Sequence, residues 1–170
     1  MLFFGKKSNV KKLLIEQSSA FEEEVYDIIS GGIMIARDFY GDEVDSSEVR
    51  LFSAVVSVII VEMHAKGLDK NLYKDIEGFL NENFKSFSQQ VGISQIDMAS
   101  RYIERLSSYR TILDDFFGKK NPDASKDLSK TLYANIFSPL SQNIPGPAIG
   151  EALIGNIYLL IKTIRTELNL

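Results

Sequence analysis

His64 is the one histidine in a chain of 170 residues that contains no cysteine. These two facts remove most of the side-chain chemistry an enzyme can use. Thiolate nucleophiles, disulfides and cysteine-based zinc sites all need cysteine. A Ser-His-Asp triad would have to be built on His64, and no nucleophile-elbow sequence accompanies it. A di-metal carboxylate bundle needs Glu-x-x-His on two of its helices. Glu62-Met63-His64 has the wrong spacing, and no second histidine exists. His64 therefore reads as structural: near a helix C-terminus, a partly protonated imidazole complements the negative end of the dipole.

Carboxylates are what remain. GDEVDSSE (41–48) gathers oxygen ligands but lacks the EF-hand order of Asp positions, central Gly and terminal Glu. No metal is expected there. No P-loop or GxGxxG sequence occurs, and Gly31-Gly32 has no basic neighbour to hold a phosphate. The expectation is a non-enzymatic protein with no catalytic residue, cofactor or metal. An enzyme using carboxylates alone would need two acids close together in a cleft, at least one with a raised pKa.

The charge is unevenly spread. The net charge is -4, from 19 basic and 23 acidic residues. Residues 1–12 hold four lysines and no acid, whereas residues 13–48 hold ten acids and a single base, Arg37. Glu16, Glu22, Glu23, Glu24 and Asp27 are the candidate surface for a basic protein partner. A solvated face, partly neutralised by neighbouring bases, is the competing explanation. Nucleic acid is not expected, because the balance is acidic and no basic stripe or RNA-binding signature is present.

Phe-Phe-Gly-Lys-Lys occurs twice, at 3–7 and at 116–120. A genuine repeat would keep matching over a whole helical unit, and these copies do not. The second copy reads as a helix end, with Gly118 as the left-handed residue and Lys119-Lys120 at the negative pole. The first sits in a tail, where Leu2, Phe3 and Phe4 lie beside Lys6, Lys7, Lys11 and Lys12. An apolar tip with basic neighbours can rest on an anionic membrane surface, although one short tip is a weak anchor.

The elements that must position these residues are helices. Apolar residues make up 45% and charged residues 25%, which suits one globular domain with a real core. Val10, Leu13, Leu14, Phe21, Val25, Ile28 and Ile29 keep helical spacing, and Gly31-Gly32 is expected to break or kink the pattern. LFSAVVSVIIV (51–61) is bracketed by Arg50 and Glu62 and is too short to span a membrane. Being apolar all round, it predicts a helix surrounded by others, about 47–66, stopped by Gly67. Asp69 is expected to open the next helix, and Val91-Gly92 to close it. Ser94-Gln95-Ile96-Asp97 reads as a capping box, and Ile96, Ala99, Tyr102, Ile103, Leu106 and Leu113 as the stripe behind it. Asn121-Pro122-Asp123 starts a further helix. Small residues at the start of the last helix (Gly146, Ala148, Gly150, Ala152, Gly155) would let another backbone approach.

The expected fold is all-α: a single-domain bundle of six to seven helices around a central apolar helix. Residues 1–12 form a tail and 13–170 the helical domain. The expected function is a protein–protein interaction module, an adaptor or regulatory subunit, with self-association fitting the same features. A hydrophobic small molecule held between helices is the alternative, and membrane association through the tail a second one. No secretory signal is read at the N-terminus, so a cytoplasmic location is the default expectation.

Overall fold

Hydrophobic periodicity and glycine stops divide the chain into helices, and helices are what form. The structure, a computed structural model, describes residues 10–40, 46–67, 70–136 and 147–170. Among these there are six α-helices and no strand: α1 Val10–Tyr40, α2 Ser46–Ala65, α3 Leu72–Val91, α4 Gln95–Phe117, α5 Ala124–Ile136 and α6 Pro147–Glu167. None of them is long and apolar enough to cross a membrane.

α2 is the centre of the bundle. Every residue from Leu51 to Val61 is buried, including Ser53 and Ser57. All five other helices pack against it, as a helix apolar on every side requires. Its aromatic anchor is Phe52, which meets Phe21 of α1 at 5.9 Å and Tyr109 of α4 at 4.9 Å between ring centroids. The buried side chains of all six helices join in one hydrophobic cluster.

The stops fall where backbone physics puts them. Gly67 and Gly92 both have positive φ (86° and 71°), a conformation costly for any residue with a Cβ. Ser94 caps α4 by accepting from the Asp97 N–H at 3.1 Å. The Asp97 carboxylate accepts from the Ser94 hydroxyl at 2.7 Å, one methylene shorter than the glutamate of a full capping box. Asn121 accepts from the Asp123 N–H at 2.9 Å ahead of α5, and Pro147 is the first residue of α6.

Five expectations need correction. α1 runs unbroken through Gly31-Gly32. Two glycines cost about 2 kcal/mol in a helix, but each further residue still adds a backbone hydrogen bond once the helix is nucleated. α1 also begins at Val10, which is fully buried, so Lys11 and Lys12 belong to a helix rather than to a tail. α3 begins at Leu72, after Asn71, and Asp69 lies outside the described residues. Ile96 and Ile103 are exposed, at 79% and 66%. The face of α4 that enters the core is Met98, Tyr102, Tyr109 and Leu113, which sits about 120° around the helix from those isoleucines.

The fifth correction concerns the second FFGKK. Gly118 is right-handed (φ -74°), and the left-handed residue is Lys119 (φ 53°). Lys120 N–H donates to Asp115 C=O and Lys119 N–H to Phe116 C=O, which is a Schellman ending one residue later than expected. A Cβ on Gly118 would lie 2.8 Å from the Asp114 carbonyl oxygen, so this turn would have to shift to take a side chain. Phe116 and Phe117 form an edge-on cluster with Tyr158 of α6, at 5.9 and 6.3 Å.

The small residues of α6 do not share one role. A Cβ on Gly150 would press into the Ser125 backbone of α5, whose carbonyl carbon would be 2.8 Å away. Gly155 faces open space. Gly150→Ala is therefore expected to destabilise by about 1–3 kcal/mol, through forced separation of α5 and α6. Gly155→Ala is expected to stabilise by about 0.5–1 kcal/mol, by removing helix-interior glycine entropy. Parallel thermal melts of the two variants give opposite signs if the contact is as described, and the same sign if it is not.

Candidate functional site

The acidic segment of α1 divides when folded. Glu16 lies one turn after Lys12 and pairs with it at 3.5 Å. Glu23, Glu24 and Asp27 project outward, exposed, and make no ion pair among the described residues. Tyr26, 44% exposed, borders a surface hollow with Glu23 and Asp27. Glu22 is half-buried: it lies on the same side of the helix as Tyr26, four residues on, but nearer the buried face, on the flank that borders α3. The five acids predicted as one surface are thus an outer group, a local pair and one half-buried carboxylate.

Glu22 borders a groove between α1 and α3. Its inner chamber, of ≈ 240 Å³, is floored by Arg50 at the start of α2 and walled by Ile15, Ser18 and Phe79. An outer, more open hollow of ≈ 490 Å³ shares Ser19, Glu22 and Arg50 with the chamber and continues past Glu23, Tyr26 and Asp27. The linings hold several carboxylates and one guanidinium.

Arg50 is held from behind. Its guanidinium lies 5.0 Å over the Phe87 ring, and Nη1 donates to Gln90 at 2.9 Å. Its buried Nε has no hydrogen-bond partner. The nearest carboxylate oxygen is that of Glu22 at 3.9 Å, an ion pair too long to be a hydrogen bond. Burial pushes the Glu22 carboxyl above the usual carboxylate range; Arg50 opposes that shift and Glu23 adds to it. Folding therefore favours protonated Glu22. That contribution is full below the ordinary carboxylate pKa and is lost as pH rises through the folded value.

His64, in the last turn of α2, titrates below its ordinary value because of burial and the nearby Arg165 charge. Glu62 pairs with Arg110 of α4. Glu48, the last residue of the acidic loop motif, is buried and holds Arg105 through two hydrogen bonds, with Arg101 beside it. Residues 41–45 of that motif lie outside the described residues, and among the described ones no three His, Asp or Glu side chains converge on a point that could hold a metal. Of the membrane-contact candidates, Leu2, Phe3, Phe4, Lys6 and Lys7 lie outside the described residues. Lys11 lays its aliphatic stem across Gly78 of α3 and pairs with Glu82, and Lys12 pairs with Glu16.

Sequence reading missed Arg50 as a site residue. A usable signal existed: Arg50 immediately precedes a run that has to be enclosed by other helices, so its long side chain must emerge between them. Comparison with protein-family models, with curated proteins and with solved structures finds no match to this chain.

Proposed function

We propose that this protein is a non-enzymatic interaction module that docks a basic partner on the outer face of α1. The observation that supports this reading is the set Glu23, Glu24 and Asp27, exposed on the outer face of α1 with Tyr26 at its edge, without ion pairs among the described residues. Clustered unneutralised charge raises the local concentration of an oppositely charged partner and speeds encounter. An exposed tyrosine at the edge of these carboxylates adds a ring face on which a cationic group can rest.

A carboxylate-pair enzyme fits the site less well. Glu22 and Glu23 are adjacent in a helix and point about 100° apart, so they cannot flank one bond. Glu82, across the groove, is tied to Lys11. A hydrophobic carrier draws no support from the groove, whose lining mixes carboxylates and hydroxyls with its apolar walls.

The test is binding of a short synthetic lysine-glycine peptide, followed by fluorescence anisotropy across a salt series. Glu23→Lys/Glu24→Lys/Asp27→Lys should abolish binding, and wild-type affinity should fall steeply with salt. Equal binding by wild type and the charge-reversed variant sinks the reading, as does failure of the wild type to bind.

A further inference from the structure

Glu22 and Arg50 face each other without completing a hydrogen bond. Arg50 can offer little more to Glu22, because stacking on Phe87 and the bond to Gln90 hold its guanidinium against the far wall. Glu22 is thus a half-buried carboxylate with no hydrogen-bond donor among the described residues, at the mouth of a chamber sized for a side chain. A carboxylate in that state gains most from a donor that also carries positive charge.

We propose that the chamber between α1 and α3 receives a single lysine or arginine side chain of the docked partner. The aliphatic stem lies along Ile15 and Phe79, and the cationic head reaches Glu22. Asn83 and Ser86 of α3 line the same space, and their oxygens can accept the remaining protons of the head. The outer hollow supplies the approach: Glu23 and Asp27 attract the partner, and Tyr26 flanks the path inward. Charge complementarity selects the occupant: Glu82 is already paired with Lys11, and Glu22, Glu23 and Asp27 line the two cavities against the single guanidinium of Arg50. This inference rests on the proposed docking face and adds to it the anchor and the residue class that fills it. A cationic head would also oppose the effect of burial on the Glu22 carboxyl, in the same direction as Arg50 does.

The experiment fills the chamber without changing its charge. Ser19 and Ser86 are exposed helix positions on opposite walls, where leucine is a good helix former. Full-length Ser19→Leu/Ser86→Leu and Glu22→Gln are titrated with the lysine-glycine peptide, with its Nε-acetylated form and with a linear triamine. Each variant is first shown by circular dichroism and thermal melting to be folded. The expected result is a loss of about tenfold or more in peptide affinity for both variants, the size of one hydrogen bond to a charged group. Wild-type binding of the acetylated peptide should be weakened to a similar degree. The salt dependence of the Ser19→Leu/Ser86→Leu variant should stay as in wild type, because the outer acids are untouched. If the filled variant binds like wild type while the Glu23/Glu24/Asp27 reversal does not bind, the chamber anchor is overturned and the docking face survives. If only the triamine binds, and filling blocks it, the occupant is a free oligoamine and the partner-side-chain proposal is overturned. Should the filled variant fail to fold, Glu22→Gln and the acetylated peptide decide by themselves, and unchanged affinity in both overturns the proposal. If nothing binds the wild type, both readings fall.

Discussion

Phe52→Ala should lower the free energy of unfolding by about 3–5 kcal/mol, the range for truncating a fully buried phenylalanine. The side chain is 0% exposed and joins three helices, touching Phe21 on one side and Tyr109 on the other. The cost should sit toward the upper part of that range, because the neighbours cannot close the void cheaply. Tyr109 is itself buried and its hydroxyl accepts from the Asn135 side-chain amide at 2.8 Å, which holds the ring in place. Urea unfolding checks this: the midpoint should drop while the slope with denaturant stays constant. Tyr73→Ala, at a position 62% exposed, should stay within about 0.5 kcal/mol of wild type. A Phe52→Ala loss below about 1 kcal/mol would mean that the centre of the bundle repacks, contrary to the packing described here.

Glu48→Ala should cost about as much, 3–5 kcal/mol, for an electrostatic reason. The Glu48 side chain is 4% exposed; Arg105 donates Nε–H to it at 2.9 Å and Nη2–H at 3.1 Å, with Arg101 at 3.7 Å. Removing the acid strands Arg105, itself only 14% exposed, with Glu104 as its one remaining ion-pair partner among the described residues. Glu104 is 69% exposed and well solvated, so it compensates little. The double substitution Glu48→Leu/Arg105→Leu should recover most of the loss, since apolar side chains of similar size often replace a buried ion pair at little cost. A double-mutant cycle by denaturant unfolding isolates the coupling, and additive effects of the two single variants would show that the pair contributes nothing of its own.

Residues that act through local backbone physics were legible in the sequence. Gly67, Gly92, Ser94 and Asn121 each impose a stop or a cap that needs only three or four neighbours to read. The enclosure of α2 was legible too, because a helix with no polar face has one outcome. Exposure on α4 was not. Ile96 and Ile103 are one heptad apart and look like a stripe, yet Met98, Tyr102 and Tyr109 offer a larger face to the core, and larger buried area prevails. Long-range polar pairing was equally hidden. Glu48 meets Arg105 across 57 residues, and Glu22 meets Arg50 only because α1 and α2 lie side by side. The acidic character of α1 could be counted, but which acid became half-buried beside the groove depended on the position of α3.

The burial of α2 by all five other helices has a consequence during synthesis. Val49–Ala65 is made second, but the last helix that covers it, α6, ends about 100 residues further on. At ordinary elongation rates that is a delay of roughly 5–20 s. Throughout that interval the most apolar segment of the chain leaves the ribosome with part of its surface bare. The nascent chain is then a natural client for chaperones that hold hydrophobic segments, and its yield in a cell should follow translation speed downstream of residue 65 more closely than the stability of the finished bundle.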